Sequence, residues 1–114
     1  MSVPTTRNIK VKYLRPEYNN LEKWLEDPNH VYIGRNMSFY VPGAKKSKWA
    51  NPFSVKKYGR EGCLSQYRDY ILESPLLYKL VELEDKELGC WCTPESCHGD
   101  VLVELFKEKV LNTS

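Results

Sequence analysis

Apolar positions along this chain fall into short stretches of two different periods, and each change of period marks a new element. From Asn8 to Leu14 the apolar residues Ile9, Val11 and Tyr13 alternate with polar ones, the period-two pattern of a half-buried strand. Residues 1–6 before it read as a ragged terminus. Asn19-Asn20 caps a short helix with Leu21, Trp24 and Leu25 on one side, and Pro28-Asn29 ends it. His30-Val31-Tyr32-Ile33-Gly34 is rich in β-formers and reads as the next strand. A further short strand is expected over Met37–Pro42, after which Gly43 opens a polar loop. Helical spacing returns after Gly59-Arg60-Glu61-Gly62, with Leu64, Tyr67, Tyr70 and Ile71 on one side. Ser74-Pro75 has the form of an N-cap followed by proline at the first helical position, with Leu76, Leu77, Leu80, Val81 and Leu83 behind it. Glu87–Cys92 reads as a short buried strand, and His98–Leu111 as a last helix with Val101, Leu102, Leu105, Phe106 and Val110 on its buried side.

Strands alternating with helices predict an α/β fold: one small domain, a two-layer or three-layer-like sandwich around a mainly parallel sheet. Residues 1–29 form an N-terminal extension with a strand and a short helix, and residues 30–111 the α/β core. Crossovers between parallel strands are right-handed, and ligands of such sheets bind beyond the carboxyl ends of the strands. Two chemically rich segments, Lys48–Phe53 and Cys92–Asp100, each follow a strand. They are therefore expected to share one crevice.

Composition narrows the class. A chain of 114 residues with 41% hydrophobic and 12% aromatic residues is long enough for one real core and too short for two. No apolar run approaches the roughly 18 residues of a membrane span, and the first residues lack the apolar core expected of a signal peptide. The expectation is a soluble, intracellular protein with reduced cysteines rather than a disulfide scaffold. The net charge of +2 points to no polyanionic partner by itself, but its distribution is uneven. Lys45–Arg60 carries six basic residues and no acidic one, leaving 11 basic against 15 acidic elsewhere. A basic segment on an acidic body attracts an anion locally, although a solvated lysine loop has the same composition.

Three of the four cysteines and one of the two histidines fall within Cys90–His98. On a strand, Cys90 and Cys92 lie on one face with Trp91 on the other, and a turn over Thr93–Ser96 returns Cys97 towards them. Three thiolates in one small volume suit a metal centre, a [4Fe–4S] cluster ahead of zinc, with His98 or Cys63 as the fourth ligand. Two other readings stay open. Cys97-His98-Gly99-Asp100 at a helix start is also the form of a metal-free phosphate- or nucleotide-binding turn of an enzyme, and buried cysteine is also an ordinary core residue of a purely structural module. In the loop, Trp49 is a candidate for stacking on a base, and Lys48 or Asn51 for holding phosphate or base edges. Arg35 after a strand and Arg60 before a helix are placed to clamp a small anionic ligand or nucleotide. Whether nucleic acid binds directly is left open, and no catalytic base or reaction can be named.

Val31-Tyr32-Ile33-Gly34-Arg35, Lys48-Trp49-Ala50-Asn51-Pro52-Phe53, Lys57-Tyr58-Gly59-Arg60, Tyr67-Arg68, and Leu88-Gly89-Cys90-Trp91-Cys92 with Cys97-His98-Gly99-Asp100 together form a combined motif. This set resembles domain of unknown function 4326, seen in phages and large DNA viruses, over about residues 30–106. The resemblance implies a compact intracellular α/β domain, in host cytoplasm or virion where the member is viral. It implies no established activity, and Cys63 lies outside the shared pattern.

Overall fold

The computed structural model describes residues 2–91 and 97–111. Three strands, β1 (Thr5–Asn8), β2 (His30–Tyr32) and β3 (Glu87–Cys90), form one sheet in the order β1-β3-β2. All pairings are parallel: Thr5 to Asn8 face Glu87 to Cys90, and His30 to Tyr32 face Glu87 to Gly89. The sheet is the α/β architecture that the alternating pattern predicts.

The strand period divides the interior into two clusters. Leu88 and Cys90 of β3 point to one face, where Ile33, Tyr67, Ile71, Leu80, Leu83, Leu102, Leu105 and Phe106 pack. That layer is built by α3 (Val55–Leu72), a 3₁₀ helix (Pro75–Leu83) and α4 (His98–Phe106), which runs into a π turn (Lys107–Leu111). On the other face, Gly89 meets Ile9 and Trp24, and Trp91 packs against the cluster of Ile9, Leu14, Leu21, Trp24, Tyr32 and Ala44. The short helices α1 (Val11–Leu14) and α2 (Leu21–Trp24) belong to this second layer. Residues 1–29 thus contribute an edge strand and much of one face. Among the described residues no helix is long and apolar enough to cross a membrane.

Several boundaries differ from the sequence pattern, each for a local reason. The first strand lies over Thr5–Asn8, within the expected ragged terminus and its junction with Asn8–Leu14. Asn8 then turns the chain by accepting the Lys10 N–H at 3.0 Å, and 11–14 becomes a helical turn. Leu14 is buried while Val11 and Tyr13 are exposed, so alternation in the residue types was coincidental. Met37–Pro42 is a turn closed by a 2.7 Å bond from Met37 N–H to the Ala44 carbonyl, with Phe39 and Tyr40 in solvent. Leu21–Trp24 is capped by Asn20, whose side chain accepts from Lys23 N–H, as expected.

Helix α3 begins earlier than Gly59, because Ser54 caps it by accepting from Lys57 N–H. Gly59 sits inside it at φ 74°, ψ 167°, a region open essentially to glycine alone. The glycine therefore separates a capped turn over 55–58 from the longer helix behind it, and that helix starts after Gly59 as the spacing predicts. Ser74-Pro75 does open a helix, of the 3₁₀ type. β3 ends at Cys90, and the Thr93–Ser96 turn lies outside the described residues, as does Cys92.

Candidate functional site: a crevice at the carboxyl ends of the strands

The carboxyl ends of β2 and β3 open onto a cavity of about 540 Å³. Gly34 and Arg35 following β2, Cys90 and Trp91 at the end of β3, and Cys97 and His98 at the start of α4 line one side. The other side is Asn51–Lys56 with Arg60, Cys63 and Leu64 of α3. This is the position in which open α/β sheets bind their ligands, and the volume is that of a small-molecule site.

The start of α4 is locked by its own sequence. Cys97 is the N-cap: its sulfur accepts from Gly99 N–H at 3.3 Å, and its own N–H donates to the Asp100 carboxylate at 3.0 Å, a capping box with a thiol in the usual hydroxyl position. A Cβ on Gly99 would lie 3.0 Å from Ile33 Cδ1 and from Thr6 Cγ2, so glycine lets α4 close onto the sheet. His98 spans to the next strand end, with Nε2 2.6 Å from the Ile33 carbonyl. A carbonyl only accepts, so Nε2 carries the proton and Nδ1 keeps a lone pair. The imidazole rests edge-on against Tyr67, whose hydroxyl donates to the Trp49 carbonyl at 2.7 Å. Burial holds His98 below the usual histidine range, partly opposed by the Ile33 hydrogen bond. Burial likewise pushes the Tyr67 phenol up.

Cys97 and Cys90 are buried and in contact, the Cys97 thiol donating to the Cys90 sulfur at 3.2 Å. That hydrogen bond, with burial second, pushes the Cys97 thiol well up. Cys63, also buried, accepts from the Asn51 amide at 3.0 Å and donates to the Phe53 carbonyl at 3.1 Å. Among the described residues, no three His, Cys, Asp or Glu side chains are grouped to hold a metal ion. Cys92, the third thiol of the expected metal set, lies outside the described residues.

The residues expected to form a site separate into three groups. Cys90, Cys97, His98, Arg35, Asn51 and Arg60 line the one cavity. Asn51 does so as a scaffold: its carbonyl oxygen accepts from Phe53 N–H at 2.9 Å while its amide holds Cys63. Lys48 lies outside this cavity, in a neighbouring groove, paired with Glu82 at 2.5 Å. Trp49 is corrected outright. It is only 2% exposed and packs in the main core, so no base can reach its face. Lys56 was visible in sequence only as one lysine of the basic run, yet it joins Arg35 and Arg60 on the cavity wall. No carboxylate lines that wall among the described residues. Tyr32 sets the rim, donating to the Arg35 carbonyl at 2.6 Å and accepting from Trp91 Nε1 at 3.0 Å. The Trp91 tie leaves no sequence signal, because it joins positions 59 residues apart that only the fold brings near. Arg68, unassigned in the sequence, makes a bidentate pair with Glu108 at 2.8 and 2.9 Å that ties α3 to the π turn.

A parallel sheet covered on both faces, with a cationic, thiol-floored cavity past its strand ends, defines a small α/β domain with a ligand-sized crevice. The chain belongs to the family described as domain of unknown function DUF4326, whose model matches residues 17–108. It is also 41% identical over 86 residues to the uncharacterized protein R718 of Acanthamoeba polyphaga mimivirus. That similarity covers 68% of this chain and 66% of the mimivirus protein, so the match spans just under two thirds of that relative. No solved structure matches the chain.

Proposed function

We propose that the crevice binds a small phosphate-bearing ligand of the nucleotide class, with the Cys97-His98 turn as its reactive wall. The observation that carries this reading is the cavity lining: Arg35, Lys56 and Arg60 line the same ligand-sized cavity as Cys90, Cys97 and His98. Cations gathered at the rim of one cavity raise the local concentration of an anion. The helix-start N–H groups of Cys97, Gly99 and Asp100 already have partners within α4. The arginines and lysine, rather than free backbone groups, therefore supply the positive charge. His98, held neutral by burial, lines the same cavity as an uncharged polar group.

A thermal-shift panel of inorganic phosphate and nucleoside mono-, di- and triphosphates tests this reading. Ligand at a hundredfold excess over its dissociation constant adds about 2.7 kcal/mol of apparent stability, and that gain should shrink as salt rises. Arg35→Ala and Arg60→Ala should each remove most of it. A folded protein that no millimolar phosphate compound stabilises would remove the proposal.

One distance favours a second reading, a cysteine-ligated metal. The Cys97 thiol donates to the Cys90 sulfur at 3.2 Å, and a metal cation held by both as thiolates would displace both thiol protons to solvent. Cys92 would be the third thiolate, with His98 or Cys63 as the fourth ligand. A [4Fe–4S] cluster is the first candidate and zinc the alternative. Anaerobically purified protein should then contain iron and acid-labile sulfide, or stoichiometric zinc. Cys90→Ser and Cys97→Ser should each lose most of it. Protein prepared without air or chelator and carrying neither metal would end this reading.

A further inference from the structure

The crevice continues beyond its chemical end. A second depression of about 630 Å³ adjoins the first and shares Arg35, Asn51 and Pro52 with it. Among the described residues its lining contains no cysteine, histidine or carboxylate. Lys46 and Lys48 supply charge, and half-exposed Tyr70 with Pro75 supplies an apolar wall. The first depression thus holds groups suited to chemistry, and the second holds groups suited only to holding. A ligand confined to a single phosphate and base would leave the second unused.

From this continuity we infer that the ligand is the end of a single-stranded nucleic acid, its terminal nucleotide in the thiol-floored cavity and its next phosphates along the groove of Lys46 and Lys48. The inference rests on the phosphate-ligand reading above and adds the substrate class. Lysines beside an aromatic face are the usual means of holding a strand without reading its sequence: cations follow the phosphates, and a base lies against the ring. The Lys48 ammonium is paired with Glu82 beside the groove, so its place is fixed and a phosphate there would share it with that carboxylate. Arg35, common to both depressions, falls where the phosphate between the terminal and second nucleotides would lie.

Fluorescence anisotropy and thermal shift with thymidine 5′-monophosphate, 5′-phosphorylated oligothymidylates of two, four and eight residues, and an eight-base-pair duplex test the inference. Affinity should rise about tenfold or more from mononucleotide to tetranucleotide and then level off, since each stacked base strengthens binding severalfold or more. The salt dependence should steepen by about 0.7 in log–log slope for each added phosphate contact. Lys46→Glu combined with Lys48→Ala should return the tetranucleotide to the affinity of the mononucleotide while leaving the mononucleotide itself unaffected. Equal binding of mononucleotide and tetranucleotide, with equal salt slopes, would overturn the strand and leave the phosphate pocket standing. A duplex binding as well as the single strand would reduce the groove to general attraction for polyanions and also overturn it. Absence of binding by every compound, in folded protein, would overturn both readings.

Discussion

Replacing Trp49 by alanine is expected to destabilise the protein by about 3–5 kcal/mol, the range for truncating a large buried aromatic side chain. Whole-domain stabilities are only about 5–15 kcal/mol, so the variant should be partly unfolded at physiological temperature. The cause is twofold. Trp49 is almost fully buried among the core residues, and its carbonyl is the acceptor that satisfies the buried Tyr67 hydroxyl. Removing the indole opens a void and loosens the loop that positions that acceptor. Urea unfolding gives the number directly. A loss under about 1 kcal/mol, with lowered nucleotide binding in fully folded protein, would restore Trp49 as a stacking platform and contradict its placement in the core.

The second large effect is a fall in stability on acidification that depends on His98. An unfolded histidine titrates near 6.5, and burial holds the folded His98 below that value. Between the two, the unfolded chain binds a proton that the folded chain refuses. The contribution is therefore complete above about pH 6.5 and is lost as pH falls below it, with a slope approaching at most about 1.4 kcal/mol per pH unit. The groups that bear on the ring are Tyr67 from α3, the Ile33 carbonyl, and Asp100, whose charge works against the shift. Unfolding midpoints at pH 8, 7, 6 and 5 should fall in the wild type. His98→Gln, which keeps an N–H donor for Ile33, should flatten this descent. Parallel pH profiles for the two proteins would show that His98 is not the group responsible.

Sequence pattern was most informative where one side of an element is buried. The α4 apolar set follows from periodicity, because burial on one face leaves a regular trace, whereas the strand expected over Glu87–Cys92 and found over Glu87–Cys90 is buried on both faces and reads as a short buried run. The parallel sheet, and with it the crevice at the strand ends, follows from the order of elements. Periodicity failed over 8–14 and 37–42, where residues with strand preference sit in turns fixed by bonds such as Asn8 to Lys10 and Met37 to Ala44. Those bonds depend on geometry that alternation does not encode. Residue type alone likewise left Trp49 open between binding and packing, since an aromatic beside lysines suits either. His98 was legible as chemistry, but its anchor on Ile33 lies 65 residues away in sequence and only the fold could supply it.

The Cys97–Asp100 lock has a consequence for how members of this family can diverge. Cys90 and Cys97 belong to the main core and also face the cavity, while the Cys97 sulfur starts a helix. A substitution that changes the reactivity of the floor therefore also changes packing and a cap in the same step. Rim residues such as Arg35 and Lys56 are exposed and carry no such double duty. Altered ligand preference should accordingly accumulate on the rim, with the floor held constant, and swapping rim loops between members is the practical route to moving specificity without losing the domain.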